Sequence, residues 1–326
     1  MSNKILLTGA GFTNNFGAPL ASEVSSLIFN SISDNPQLME LLKNNFDYEA
    51  IYQTVMQSQE YDAATKASFT SAMAEAYNII NKLVKNHGLS NIDTIKFKEL
   101  LKGFDKPNGS GFIFTLNQDL FLDNNISMFP EITYEIPVEG VPITNPEYPF
   151  ERMKLNISYD NFEEFKANKQ KYFNKTDSRI FYIKLHGSQD WYKADNSQIM
   201  VIGHGKSERI QVEPILNWYL DIFKNQLAKD DTKLLIIGYS FRDEHINRVI
   251  NNNKHRLKIY VINSQSSEDF FNGLEKQLFG SEIKKIITKY YSVTLKQLLG
   301  DGLSEAHPFW NQLQYEFFEN QLYKNK

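Results

Sequence analysis

The 326-residue sequence contains no cysteine. This absence excludes disulfide bonds, thiolate zinc sites and a cysteine nucleophile. A chain without disulfides suits a reducing compartment, and the N-terminus lacks the charged and then apolar segments of a secretory signal. We therefore expect a cytoplasmic protein.

Long apolar runs and an excess of positive charge are also missing. No apolar stretch approaches the roughly 20 residues that a membrane-spanning helix needs. The net charge is -4 at pH 7, so the chain as a whole offers no basic field for nucleic acid. We therefore predict neither membrane insertion nor direct binding to nucleic acid. The composition, 41% hydrophobic, is that of a globular protein long enough to bury a sizeable core.

The sequence begins with a short apolar run that ends in the turn Gly9-Ala10-Gly11. A strand, a glycine turn and a helix follow one another in this order in many α/β proteins that hold a nucleotide phosphate. A third glycine three residues after Gly11 would complete the dinucleotide fingerprint, but Asn14 stands there. By itself, the turn is therefore equally explained as a tight connection between a strand and a helix.

Apolar runs along the chain predict five core strands, at about 4–9, 112–119, 180–187, 233–240 and 256–263. Because helical patterns separate these strands, we predict an α/β fold with a Rossmann-like, doubly wound parallel sheet. The remaining segments are interpreted as a helical insertion at about 20–105, an irregular insertion at about 122–178 and a C-terminal helical tail at about 292–326. We expect one domain over residues 1–326.

Two segments near the C-terminus allow more than one interpretation. Residues 283–291 fit either a further strand or a helix. The aromatic side chains of the tail, which include Phe309, Trp310, Tyr315, Phe317 and Phe318, could pack on the core or form the surface of an oligomer.

Each predicted core strand ends in glycine or polar residues, in the segments GAGFT, TLNQD, LHGS, GYSFRD and VINS. Each segment alone is explained by turn chemistry. On a doubly wound parallel sheet, however, all five would lie along one carboxyl edge and define one nucleotide cleft. His186 is placed there to act as a general base, although a histidine that backbone hydrogen bonds hold at a turn fits the same position.

The segment Gly203-His204-Gly205-Lys206 resembles part of a P-loop but lacks the P-loop spacing. We interpret it as a hairpin or loop. No second ligand stands at a suitable spacing from His204, so we predict no metal site at this histidine.

Taken in order, the strand-end motifs resemble the sirtuin (Sir2) domain over about residues 4–263. The motifs that carry the resemblance are Gly9-Ala10-Gly11-x-Thr13, Thr115-x-Asn117-x-Asp119, His186-Gly187, Gly238-x-Ser240 and Val261-Ile262-Asn263. The stretch from Gly238 to Asp243, followed by Ile246-Asn247, is similar to the bacterial Sir2-like NADase branch used in anti-phage defence.

The chain departs from sirtuin deacylases in two respects. Those enzymes have four zinc-binding cysteines in a small domain, whereas this chain has none. They also have a Pro-Asp-Phe-Arg stretch where this chain has the residues Asn14 to Pro19. We therefore expect a sirtuin-like fold without the zinc module, and the departures argue against an acyl-lysine peptide groove.

The resemblance implies cleavage of the bond between nicotinamide and ribose in NAD, with no metal ion. Asn117 would position the ribose and the attacking water, Asp119 would hold the nicotinamide carboxamide, and His186 would act as the base. The other implied NAD contacts are Gly9, Ala10, Gly11 and Thr13 at the diphosphate, Gly238 and Ser240 on the phosphate and ribose side, Asn263 on the adenosine side, and Asp243.

The expected function is hydrolysis of NAD to nicotinamide and ADP-ribose by an NAD-depleting effector of abortive infection. An NAD-dependent ADP-ribosyltransferase or deacylase, and a non-catalytic sensor of NAD or ADP-ribose, stay open. Family analogy implies a homo-oligomer and control by a partner such as a HerA-type ATPase or another defence protein. No acidic or basic residue clearly marks the ribose 2′ position, so the sequence does not distinguish NAD from NADP.

Overall fold

The structure of the protein is a computed structural model, which describes residues 2–87, 89, 92–105, 110–125, 132–134, 155–157, 159–164, 166–167, 179–193, 197–203, 205–301 and 306–324. The strands in these ranges are β1 (Asn3–Thr8), β2 (Ser110–Thr115), β3 (Ile132–Tyr134), β4 (Leu155–Ile157), β5 (Arg179–Lys184), β6 (Gly187–Lys193), β7 (Gln198–Met200), β8 (Thr232–Ile237), β9 (Leu257–Asn263) and β10 (Ile287–Ser292).

Seven of these strands form one parallel sheet in the order β10-β9-β8-β1-β2-β5-β3. All six residues of β8 are buried, because a central parallel strand is covered by helices on both faces and needs a continuous apolar run. The Rossmann-like α/β fold predicted from the sequence is confirmed. The assignment of residues 1–326 to a single domain stays a prediction.

The helices are α1 (Ala10–Asn14), α2 (Ala21–Ser31), α3 (Pro36–Asn44), α4 (Tyr48–Gln57), α5 (Ala63–His87), α6 (Thr94–Lys102), α7 (Phe121–Asn125), α8 (Lys206–Val212), α9 (Pro214–Leu227), α10 (Glu244–Asn252), α11 (Ser267–Glu275), α12 (Gly280–Ile286), α13 (Leu295–Leu299) and α14 (Pro308–Gln312). None of the helices in the described ranges is long and apolar enough to cross a membrane.

The first helix starts earlier than the sequence pattern indicates. The apolar periodicity predicts a helix only after Pro19, whereas α1 begins at Ala10, directly after Gly9. The α1 segment buries only Phe12 and Thr13, and one short turn is too brief to show a helical period. The glycine turn thus leads straight into a helix.

A second sheet has the order β4-β6-β7. Its strand β6 begins at Gly187, immediately after His186, and was not predicted. The strand is mostly polar, with the sequence GSQDWYK, so a search for apolar runs does not find it. Most residues of the irregular insertion lie outside the described residues. His204 also lies outside them.

Residues 283–291 contain both of the predicted alternatives, since α12 ends at Ile286 and β10 begins at Ile287. The C-terminal tail packs on the core of the same chain. Trp310 and Phe317 are buried, and the Phe318 ring meets Phe104 at a centroid distance of 5.3 Å. Of the five aromatic residues of the tail, Phe309 and Tyr315 are half-buried.

Candidate functional site

The carboxyl ends of four neighbouring strands bring most of the predicted residues together. In the order β5, β2, β1 and β8, these strands are followed by His186, Asn117, the turn at Gly9 and Gly238. The chain passes from β1 to β2 on one side and returns to β8 on the other. Such a reversal opens a crevice at the carboxyl end of a parallel sheet, which is where ligands bind in this class of fold.

The glycines of the crevice allow the turns after β1 and β8 to touch. The Gly9 N–H donates to the Ile237 carbonyl at 3.0 Å, and the Gly11 N–H donates to the Gly238 carbonyl at 2.9 Å. A Cβ atom on Gly11 would lie 2.9 Å from the Gly238 Cα, too close for any side chain. These two N–H groups are therefore engaged within the protein, and close backbone approach is what the glycines provide.

Thr13, Asn117 and Asp119 are all buried, and Asn117 is hydrogen-bonded to Thr13. The Asn117 Nδ2 donates to the Gly9 carbonyl at 3.0 Å and to the Thr13 Oγ1 at 3.2 Å. The Thr13 hydroxyl donates to the Ala10 carbonyl at 3.3 Å, and its interaction with the Asp119 carboxyl partly offsets the rise in pKa that burial causes there. The ends of β1 and β2 are thus tied together by side chains that the sequence predicts for NAD binding.

Asp119 lies next to the buried ion pair of Lys184 and Asp123. Burial raises the pKa of the Asp119 carboxyl, and the neighbouring Lys184 ammonium opposes this rise. The Lys184 Nζ donates to the Asp119 carbonyl at 2.5 Å and lies 2.9 Å from the Asp123 Oδ2, with both side chains almost wholly buried. Lys184 therefore fixes the turn that carries Asp119.

His186 faces a second histidine that the sequence analysis missed. Its Nε2 lies 3.0 Å from the Nε2 of His245, in the first turn of α10, and both rings are buried. Burial lowers the pKa of His186 to about 3 and that of His245 to about 4, so both imidazoles are uncharged at neutral pH. The Leu116 backbone, next to Asn117, opposes this fall in the pKa of His186 to a small extent.

Asp243 and Lys206 complete this side of the crevice. The Lys206 Nζ lies 3.0 Å from the Asp243 Oδ1 and 2.9 Å from the Glu49 Oε2. Burial opposes ionisation of Asp243, but Lys206 outweighs it and lowers the pKa of the carboxyl to about 2. Burial likewise opposes charge on Lys206, yet the two carboxylates raise its pKa above the usual value. The group is thus charged, and it joins α4 to the loop after β8.

The loop after β8 is held in an uncommon conformation. Gly238 and Phe241 have positive φ angles of 64° and 59°. The Tyr239 hydroxyl accepts from the Asp243 N–H at 3.1 Å and donates to the Asn247 Oδ1 at the same distance. The Asn247 Nδ2 donates in turn to the Phe241 carbonyl at 2.6 Å. These bonds hold the first turn of α10, which carries His245, against the crevice.

The remaining predicted residues are less engaged. Ala10 and Ser240 are exposed. The Asn263 Oδ1 accepts from the Gln265 N–H at 3.0 Å within its own turn, and β8 separates Asn263 from β1. The structure therefore gathers Thr13, Asn117 and Asp119 in one group and His186 and Asp243 in a second.

His245 and Lys206 are the site residues that sequence reasoning did not select. The signal for His245 was its spacing, since it follows Asp243 by two residues at the start of a helix. Lys206 lay in the segment interpreted only as a loop, and its partners are far away in the sequence. No local pattern could have shown that Glu49 and Asp243 meet at this ammonium.

The donor set of the crevice fits a nucleotide. It combines an amide, a buried carboxyl, a hydroxyl and an uncharged imidazole, which can contact ribose hydroxyls and a carboxamide. The Asn117 Nδ2 is bonded within the protein, so Oδ1 is the atom of this side chain that can bond a ligand.

Comparison with known proteins gives one family match and a structural match of low similarity. A family model described as a SIR2-like domain matches residues 112–271, which span the strand ends after β2, β5, β8 and β9. Among solved structures, that of Sir2Tm bound to a propionylated peptide aligns with a TM-score of 0.33 and 12% identity, over 96% of this chain and 92% of that chain. No curated protein matches the chain. The matched residues, just under half of the chain, are thus similar to a SIR2-like domain.

Proposed function

We propose that the protein is an NAD hydrolase, which cleaves the bond between nicotinamide and ribose and releases nicotinamide and ADP-ribose. The observation that carries the proposal is the buried group Thr13–Asn117–Asp119 beside the uncharged His186 on the carboxyl edge of the sheet. The SIR2-like domain match over this edge supports NAD as the substrate.

Asn117 positions the ribose and the attacking water. Its Nδ2 bonds to Gly9 and Thr13 fix the amide, and its Oδ1 accepts from a water or a ribose hydroxyl. A fixed acceptor costs no reorganisation when positive charge develops at the ribose C1′. Asp119 accepts from the carboxamide N–H of nicotinamide, which holds the leaving group in place.

His186 accepts the proton. Water oxygen bonds to C1′, the bond from C1′ to the nicotinamide nitrogen breaks, and its electron pair leaves with nicotinamide. The proton that the water loses passes to the His186 imidazole, which burial keeps uncharged. The contact between its Nε2 and the His245 Nε2, at 3.0 Å, holds the ring in place for this transfer.

The test is incubation of the purified protein with NAD, followed by chromatography of the products. We expect nicotinamide and ADP-ribose from the wild type, and no turnover from Asn117→Ala or His186→Ala. His255→Ala is the matched control, because His255 is exposed in the turn before β9. Circular dichroism checks that each variant is folded.

Three other outcomes contradict the proposal in different ways. Turnover retained in both site variants would place the chemistry elsewhere. NAD that binds but persists unchanged would indicate a sensor. ADP-ribose transferred to an acylated peptide or a protein acceptor would indicate a deacylase or an ADP-ribosyltransferase.

We further propose, from the resemblance to the anti-phage branch, that the enzyme is a cytoplasmic effector that depletes NAD during abortive infection. Such an activity needs control, which we assign to homo-oligomerisation or to a HerA-type ATPase or other defence partner. Light scattering after size-exclusion chromatography tests the assembly. A monomer at all concentrations would contradict the homo-oligomer.

A further inference from the structure

We propose that His186, Asp243 and His245 form a binding site for a divalent transition-metal ion such as Zn²⁺. Each residue offers one ligand atom, and these three atoms all lie within 4.8 Å of one another. The set is chemically apt, because imidazole nitrogen and carboxylate oxygen are both common zinc ligands.

The distance between the two imidazoles is close to that of a zinc site. Tetrahedral coordination with Zn–N bonds of about 2.0–2.1 Å places two nitrogens about 3.3 Å apart. The Nε2 atoms of His186 and His245 lie 3.0 Å apart, so an ion requires them to separate by only a few tenths of an ångström. A hydrogen bond now joins the two Nε2 atoms, and a bound ion would take the place of the proton between them.

The ligands are held by rigid elements. His186 is the second residue after β5, and His245 lies in the first turn of α10, beside Asp243 at the N-terminus of that helix. Both imidazoles are buried, which restricts their motion. Three protein ligands leave a fourth tetrahedral position for water or another ligand.

Lys206 acts as a competitor for this site. Its ammonium lies 3.0 Å from the Asp243 Oδ1 and is also held by the Glu49 Oε2 at 2.9 Å. A metal ion can therefore take over Asp243 while Glu49 retains the lysine. The two carboxylates exceed the one ammonium by one negative charge, which favours a cation between the imidazoles.

Occupation of this site would inhibit the proposed reaction, a consequence that rests on the proposed function. The ion would bind the Nε2 lone pair of His186, which the base needs to accept a proton. Metal binding itself does not depend on NAD cleavage and can be measured without it.

The experiment is a Zn²⁺ titration of the metal-free full chain against a chromophoric chelator, with bound metal counted by elemental analysis. The absence of cysteine removes thiolate binding as a background. We expect one ion per wild-type chain. His245→Gln and Asp243→Asn should each weaken binding at least about tenfold, the lower end of what loss of a supporting partner costs in metal sites.

Two further variants separate this site from incidental binding. Lys206→Gln should tighten binding, because it removes the competitor without removing a ligand. His255→Gln changes an exposed histidine and should leave affinity unchanged. Circular dichroism establishes that each variant is folded. Absence of stoichiometric binding in the wild type, or equal affinity in His245→Gln, would overturn the proposal.

An activity assay then tests the consequence. Zn²⁺ at concentrations above the measured Kd should inhibit NAD cleavage by the wild type, and addition of a chelator should restore the cleavage. Full activity with the ion bound would overturn the inhibitory role. If the metal-free protein does not cleave NAD at all, the proposed hydrolase fails, while the titration still decides the metal site.

Discussion

The two ends of the parallel sheet both carry buried or half-buried charges, yet they use these charges differently. At the amino ends of β1 and β8, Lys4 and Lys233 reach toward the C-terminal segment. The Lys4 Nζ donates to the Phe318 carbonyl at 3.0 Å, and the Lys233 Nζ donates to the Glu316 carbonyl at 2.7 Å. Both ammonium groups also pair with Glu319.

The partners at the amino end are mainly backbone carbonyls at the end of a π-helical turn, Leu313–Phe317. Cations near a helix C-terminus donate hydrogen bonds to its last carbonyls and interact favourably with the negative end of the helix dipole. The two lysines therefore bind the C-terminal tail to the sheet, and their hydrogen bonds are made within the protein.

At the carboxyl end, polar side chains meet one another. Asn117 bonds Thr13, His186 faces His245, and Lys206 bridges two carboxylates. These partners are side chains, whereas those of Lys4 and Lys233 include the carbonyls of the C-terminal segment. Buried charge alone therefore does not distinguish the candidate site from the amino end, whereas the kind of partner does.

The sharpest test of this distinction is Lys184→Met, because Lys184 lies at the carboxyl end but has a structural role. The substitution leaves Asp123 charged and buried, although the Tyr182 hydroxyl still lies 3.2 Å from its Oδ2. We expect a loss of about 3–5 kcal/mol in the free energy of unfolding, measured by urea denaturation.

The double variant Lys184→Met/Asp123→Asn is the control for Lys184→Met. Removing the buried negative charge of Asp123 should restore part of the lost stability. A single variant as stable as the wild type would mean that Lys184 is not a structural anchor of the Asp119 turn.

The positions of the core strands and the edge that carries the site could be predicted because both depend on local signals. Buried parallel strands need continuous apolar runs, and the polar residues after each run are adjacent in sequence. Topology then places Asn117, Asp119 and His186 on one edge. Asn263 follows a strand in the same way, but the order of the strands sets it beyond β8.

The contacts across the crevice could not be predicted, since they join residues that are far apart in sequence. The pairing of His186 with His245 requires the first turn of α10 to meet the segment after β5, and Lys206 meets Glu49 only because α4 lies beside the start of α8. The sequence also suggested phosphate donors at Gly9 and Gly11. The structure shows their N–H groups bonded to the turn after β8, which depends on the neighbouring strand.

A second prediction concerns Gly238, which couples the two turns of the crevice. Its φ angle is 64°, and a Cβ atom would lie 2.2 Å from the Phe12 nitrogen. Gly238→Ala should therefore destabilise the protein by about 1–3 kcal/mol, as measured by urea denaturation, and lower NAD affinity as the turns separate. Unchanged stability would show that the turns do not depend on this close approach.

At the amino end, Glu319→Gln should have a smaller effect and leave NAD cleavage unchanged. Burial opposes ionisation of Glu319, but Lys233 and Lys4 outweigh it and lower its pKa to about 2. The stabilisation of the fold by the Glu319 carboxylate is therefore fully present above the usual carboxyl pKa, near 4.5. This stabilisation is lost as the pH falls toward 2.

The Glu319 side chain is 41% exposed, so solvent screening limits its contribution to about 1 kcal/mol or less. Denaturation between pH 5 and pH 2 provides the measurement. The wild type should lose more stability than Glu319→Gln across this interval. Equal losses in both proteins would mean that the amino-end pairs contribute nothing.

The smallest effect is expected at Gly273, which lies at neither end of the sheet. It lies within α11, and a Cβ atom there would meet no heavy atom within 4 Å. Gly273→Ala should therefore stabilise the protein by about 0.5 kcal/mol, because alanine loses less backbone entropy on entering a helix. Thermal denaturation should show a slightly raised Tm, and an activity assay should show unchanged NAD turnover.

The same substitution at Gly238 is expected to destabilise the protein. Opposite signs of the stability change at the two glycines would therefore separate the effect of the crevice from the general effect of changing glycine to alanine. A loss of stability at both positions would contradict that separation.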